Sequence, residues 1–225
     1  MADKAPSEGT AVQLVSKLTD FGIDGKASPL KPSVDVAGGY LADTRFAHDD
    51  DRIRSLIRWH VAAATTTGFT TGLGGVVTLP VTLPAGLCAA WLLQARMIGS
   101  IAHIRGYDLA DERVRTLVIA AIAGDATVSE VTKRIGSDFA TRAGKAAVQR
   151  VPGKVLIEIN KKIGFRLLTK SGTTGVVNLS KVVPVLGGVV GGAVDGTSTR
   201  AVGAIATRAF PSAQPAVASS VRPGR

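Results

Sequence analysis

Between Val61 and Ala95 the chain carries no Asp, Glu, Lys or Arg, although charged residues bracket the run on both sides. A charge-free stretch that long folds as helix that is either buried or membrane-seeking. Its first part, Val61 to Val81, is built from Ala, Thr and Gly rather than Leu and Ile. The hydroxyls of Thr65, Thr66, Thr67, Thr70 and Thr71 can return to backbone carbonyls within a helix. Gly68 and Gly72 stand four apart and would let a second helix come close. Gly72-Leu73-Gly74-Gly75, Pro80 and Pro84 then break regularity. Pro84 suits the first turn of a new helix, predicted to run through Leu87, Trp91, Met97 and Ile101 to about Arg105. The first arm is weakly hydrophobic, and the second carries Gln94 and Arg96 in its middle, where a charged residue costs about 3 kcal/mol on insertion scales. The expectation is a buried or shallowly inserting hairpin rather than two spans.

The rest of the 225-residue chain reads as further helices, and the whole is long enough to bury a core. Ala11, Leu14, Val15, Leu18 and Phe21 recur at helical spacing, predicting a helix over 9–21 that Gly22, Gly25, Pro29 and Pro32 end. Ser33 is expected to cap a second short helix through Leu41. Asp49-Asp50-Asp51 could chelate a cation, but acids at a helix start more often cap it and face its positive end. Acids at Asp108, Asp111 and Glu112 open another helix, which Gly124 closes. Helices over 127–148 and from Pro152 onward follow. In the closing segment Gly188, Gly192 and Gly196 fall four apart, a spacing that suits a glycine-zipper helix. Glycine in a helix costs roughly 1 kcal/mol against alanine, so close packing has to offset it. The expected fold is all-α: a compact helical bundle with Gly-rich apolar hairpins and a zipper helix. It divides into an N-terminal arm (1–48) that docks on the rest, a helical domain (49–210) and a disordered tail (211–225).

The net charge of +10 calls for an acidic partner. Aromatic residues make up only 4% and no recognition motif appears, which argues for anionic lipid over nucleic acid. Lys154, Glu158, Lys162, Arg166 and Lys170 form an every-fourth-residue stripe, suited to a membrane interface or to an ordinary solvated face. Candidate membrane or partner contacts are Lys154, Lys161, Lys162, Arg166, Lys170, Arg52, Arg54 and Arg58. The single Cys88 excludes an internal disulfide framework, and the N-terminal stretch lacks the apolar core of a secretory signal. These point to the cytoplasm, peripheral on the inner face of the cell membrane.

No phosphate-binding loop, nucleophile elbow or His-Glu-x-x-His is present. Gly72-x-Gly74 lacks the rest of a dinucleotide fingerprint. No cofactor and no metal is expected, since His60, His103 and Cys88 do not make a zinc set. His60, Gln94, Arg96 and Asp195 are candidate buried polar residues, and an Arg96–Asp195 pair would satisfy both.

The chain resembles the EcsC family of bacterial proteins. The resemblance is carried by His60 and Ala63 ahead of Thr67-Gly68, then Thr71-Gly72-Leu73-Gly74-Gly75, Pro80 and Pro84. Gln94, Arg96, Ile101-Ala102 and Gly106-Tyr107-Asp108-Leu109 follow. Later come Ile159-Asn160-Lys161, Gly164, Pro184, Gly187-Gly188, Gly191-Gly192 and Asp195. It covers about Asp49 to Phe210, and Arg105 stands where an aromatic is expected before Gly106. The family, named for a gene beside a transporter operon, implies a helical, membrane-associated protein and supplies no catalytic residues.

Three functions fit these readings. The leading one is a non-enzymatic protein that binds an anionic membrane surface through basic helices, with shallow insertion of its Gly-rich helices. The second is a soluble scaffold for a membrane transporter or other protein partner. The third is an enzyme on a lipid or apolar small molecule, with His60, Gln94, Arg96 and Asp195 lining the pocket. A homo-oligomer stays open.

Overall fold

The computed structural model describes residues 8–26, 30–65, 85–135, 148–149, 151–161 and 187–212. Among these residues the protein is all-α, with no strand. The helices are α1 (Glu8–Asp24), α2 (Ser33–Ala42), α3 (Asp49–Thr65), α4 (Ala85–Ile104), α5 (Glu112–Ala123), α6 (Asp125–Ile135) and α7 (Gly187–Ala209). Residues 153–161 are also helical.

The bundle is organised around α4. Its sequence is rich in Ala and Leu, which favour helix, and it is apolar on nearly every side. A helix apolar all round must be covered all round. Every residue from Trp91 to Ser100 is buried, and α1, α2, α3, α5 and α7 all pack on α4. The last part of the charge-free run, from Ala85, therefore opens the central helix of the core. Residues 66–84 lie outside the described residues, and with them the expected packing glycines Gly68 and Gly72.

Side-chain contacts fix the directions of the helices. Asp50 at the start of α3 meets Arg105 just past the end of α4, whereas Trp59 near the end of α3 meets Arg96. The two helices are thus antiparallel. Ser198 on α7 pairs with Gln94 on α4, and Phe210 stacks edge-on against Tyr107 at 5.2 Å, so α7 runs parallel to α4.

Glycines set the tightest approaches. A Cβ on Gly203 would lie 3.0 Å from Ile57 of α3, and one on Gly196 would lie 2.5 Å from Thr65 Oγ1. The glycine face of α7 thus lies against α3 along its described part. Gly188 and Gly192 fall within α7, but the environment of its first half lies outside the described residues. Gly22, expected to help end the first helix, instead lies inside α1. A Cβ there would come within 2.7 Å of Ala95 Cβ and 2.8 Å of the Leu92 carbonyl oxygen. The absent side chain is what lets α1 seat on α4. The turn comes at Gly25, whose φ of 67° is the left-handed conformation that favours glycine.

The leading segment shares the core. Leu14, Val15, Leu18, Ile23, Leu30 and Ala37 belong to the same buried cluster as the α4 residues. Ser33 is not the cap it resembles. Pro32 holds that position without a side-chain hydrogen bond, and the buried Ser33 hydroxyl donates to the Arg96 carbonyl at 3.2 Å. At α5 the expected signals hold: the Asp111 side chain accepts from the Arg113 N–H, and Gly124 follows the last turn with φ 113°.

Candidate functional site in the polar layer of the core

Midway along α4 the apolar core is interrupted by a polar layer. His60 on α3 is wholly buried, and Gln94 and Arg96 on α4 are nearly so. The His60 Nδ1 lies 2.9 Å from the Leu56 carbonyl oxygen, one turn back on the same helix. A carbonyl only accepts, so Nδ1 carries the proton and Nε2 presents a lone pair. That Nε2 has no hydrogen-bond partner among the described residues. Burial, reinforced by the neighbouring Arg96 charge and only partly opposed by the Leu56 bond, drives the His60 pKa down to about 3. The imidazole is neutral at physiological pH.

Arg96 is 5% exposed, and its Nε and Nη2 have no acceptor among the described residues. Burial lowers its pKa to about 10, which leaves it charged at neutral pH. Trp59 covers both groups. Its ring centroid lies 5.4 Å from Arg96 Cζ, a cation–π contact, and 4.9 Å from the His60 ring centroid, edge-on. Trp59 itself is 53% exposed, the outer wall of the layer rather than part of the core. Gln94 turns the other way, toward α7, where its Nε2 reaches the Ser198 hydroxyl at 3.5 Å. The structure therefore brings His60 and Arg96 together and places Gln94 on another side of α4. The Asp195 side chain, and with it the Arg96–Asp195 pair, lies outside the described residues.

The acids at the start of α3 are each taken by an arginine. Asp49 binds Arg52 at 3.0 Å, Asp51 binds Arg54 and Asp50 binds Arg105. Arg105, where the family resemblance led one to expect an aromatic, is buried to 6% of its side chain and ties the two helices together. Among the described residues no group of three or more His, Cys, Asp or Glu side chains could hold a metal ion.

Of the expected basic contacts, Arg54, Arg58, Lys154 and Lys161 are exposed. Arg52 instead turns inward, donating from Nε to the Tyr40 carbonyl at 3.0 Å, with its side chain only 15% exposed. It fastens α2 to α3 rather than reaching outward. Lys162, Arg166 and Lys170 lie outside the described residues. Beside Lys154 and Lys161 stands Ile157, 58% exposed.

A cleft of about 540 Å³ opens at the far end of α4, against Asp24, Tyr107, Asp108 and Arg115. Its Arg115 and Tyr107 side chains are already engaged. Arg115 binds Asp20, Asp24 and the Leu109 carbonyl, while the Tyr107 hydroxyl donates to the Pro211 carbonyl at 3.3 Å. Burial pushes the Tyr107 pKa up to about 12 and keeps it a neutral donor. This corner, which contains Gly106-Tyr107-Asp108-Leu109, holds the chain ends of α4 and α7 together.

Two residues of the polar layer were not singled out from sequence. Trp59 is one of only two tryptophans in the chain, and its place directly before His60 was the available signal. Ser198 offered none, since its role depends on a partner 104 residues away.

A helical bundle built on one buried central helix, with a polar layer between α3 and α4, is the class that these features define. The EcsC protein family matches the chain over residues 39–211, and the protein belongs to that family. The match begins within α2, so α1 precedes it. No curated protein and no solved structure matches the chain.

Proposed function

We propose that this EcsC-family protein works at an anionic membrane surface, as a non-enzymatic protein peripheral on the cytoplasmic face. The observation that carries the reading is Trp59. It is a large apolar residue standing 53% exposed beside the exposed Arg58, one helical turn past Arg54, where α3 leads into the charge-free run. Tryptophan flanked by arginine suits the lipid headgroup boundary, where the ring sits among apolar and polar groups and the cations meet phosphate. Lys154, Ile157 and Lys161 repeat the pattern on 153–161, with an exposed apolar side chain between two lysines. None of the described helices is long and apolar enough to cross a membrane, so the reading is of surface attachment, with shallow insertion reserved for the Gly-rich run.

Catalysis on a lipid is the weaker reading. A neutral His60 held near pKa 3 is a poor general base at pH 7, where efficient proton transfer calls for a pKa close to the working pH. A scaffold that binds a protein partner has its own support. Val34 and Leu41, seven apart on α2, each remain 42% exposed and offer a small apolar strip.

Flotation of the full chain with liposomes separates these readings. Membrane binding predicts flotation on anionic but not neutral vesicles at low salt, weakened by R54E together with R58E. Binding that persists at high salt would mean that the apolar run inserts. No flotation on any vesicle would move the assignment to the scaffold.

A further inference from the structure

The core holds a cation with no counter-charge among the described residues. Arg96 is 5% exposed, and the two nitrogens left without acceptors are Nε and Nη2. These form one edge of the planar guanidinium, the edge that offers two parallel N–H bonds to a carboxylate or phosphate. Beneath the same Trp59 ring, His60 presents Nε2 as a bare acceptor, because its Nδ1–H is spent on the Leu56 carbonyl. The layer therefore displays two unused donors and one unused acceptor, buried and under one cover. Buried polar groups left unmade are costly, and folds retain them where something else completes them.

The complement of that set is specific. A bare dianion such as sulfate can accept from Arg96 but has nothing to donate to His60. A carboxylate has the same deficiency. An oxyanion that keeps a proton satisfies all three, its P–O groups accepting from the Arg96 edge and its P–OH donating to His60 Nε2. Trp59 is the outer wall, and because it is half exposed it can swing aside without unpacking the apolar core. We propose that His60 and Arg96, under Trp59, form a binding site for a protonated phosphate or phosphate monoester, supplied either free or as a lipid headgroup. The site stands independently of the membrane reading, since free phosphate suffices to fill it.

The test is thermal unfolding of the full chain near pH 6 in phosphate, sulfate and chloride at matched ionic strength. Flotation on phosphatidylcholine vesicles containing phosphatidic acid or phosphatidylserine runs beside it. The site predicts a saturable rise in Tm with phosphate that sulfate does not match. R96M should abolish that rise while unfolding in chloride at or above the wild-type temperature, because it removes an unpaired buried charge. R96K, which keeps the charge and loses the paired edge, should weaken phosphate binding by about tenfold or more. If inorganic phosphate has no effect but phosphatidic acid vesicles bind better than phosphatidylserine ones, and R96M removes the excess, the source is the lipid headgroup and the site stands. No Arg96-dependent response to either source overturns it. So does an R96M protein that is destabilised or unfolded in chloride, which would show that Arg96 is held by a carboxylate of the chain such as Asp195. Failure to float on phosphatidylserine speaks only to the membrane reading.

Discussion

Gly22 of α1 and Ala95 of α4 meet so closely that a Cβ on the glycine would lie 2.7 Å from the alanine Cβ and 2.8 Å from the Leu92 carbonyl oxygen. Neither neighbour is a flexible side chain that could move aside. Gly22→Ala should therefore lower stability by about 1–3 kcal/mol, overpacking outweighing the gain in helix propensity. Gly39 lies inside α2 with open space around it. Gly39→Ala should raise stability by about 0.5–1 kcal/mol. Urea midpoints of the two variants check the pair, and a neutral Gly22→Ala would show that α1 seats elsewhere.

The Asp50–Arg105 pair joins the outer ends of α3 and α4, with the arginine buried and the carboxylate largely exposed. Neutralising Asp50 leaves a buried guanidinium without its counter-charge. Asp50→Asn should cost about 1–3 kcal/mol, less than for a fully buried pair because water reaches the site. Asp51 binds Arg54 on the exposed side of the same turn. Asp51→Asn should change stability by no more than about 0.5 kcal/mol. Chemical denaturation of both variants gives the comparison, and equal costs would contradict the assigned roles.

His60 sets a pH dependence. Its folded pKa, about 3, lies below the 6.5 of an unperturbed histidine, because burial disfavours the charged ring. Below pH 6.5 the unfolded chain takes up a proton that the folded chain refuses. The stability held through His60 is therefore fully present above about pH 6.5 and is lost as pH falls toward 3, at about 1.4 kcal/mol per pH unit within the window. Unfolding at pH 7, 6 and 5 should show this slope in the wild type and a shallower one in His60→Gln. Parallel slopes would place the lost stability on other groups.

What was legible from sequence followed local chemistry. Asp111 and Gly124 marked the ends of α5 because a cap and a left-handed terminus are written in adjacent residues. The central helix was legible because an unbroken apolar stretch opened by proline admits few other structures. Gly22 was misread because glycine weakens an isolated helix, whereas here it serves contact with a helix some 70 residues later in the chain. Ser33 had the form of a cap, yet its hydroxyl goes to Arg96, 63 residues away. The polar layer was half legible. That Arg96 and His60 would be buried follows from their apolar neighbours, but that Trp59 would cover both depends on the antiparallel register of α3 and α4, which no local pattern encodes.

The central claim, attachment to an anionic membrane through the end of α3, is tested most directly by tryptophan fluorescence. Trp59 is half exposed, whereas Trp91 is buried in the core and bonded to Thr19, so a Trp91→Phe protein reports on Trp59 alone. Vesicles containing anionic lipid should shift Trp59 emission to the blue and let bromine-labelled acyl chains quench it, with neutral vesicles leaving it unchanged. An emission that stays constant and unquenched on anionic vesicles would contradict the account.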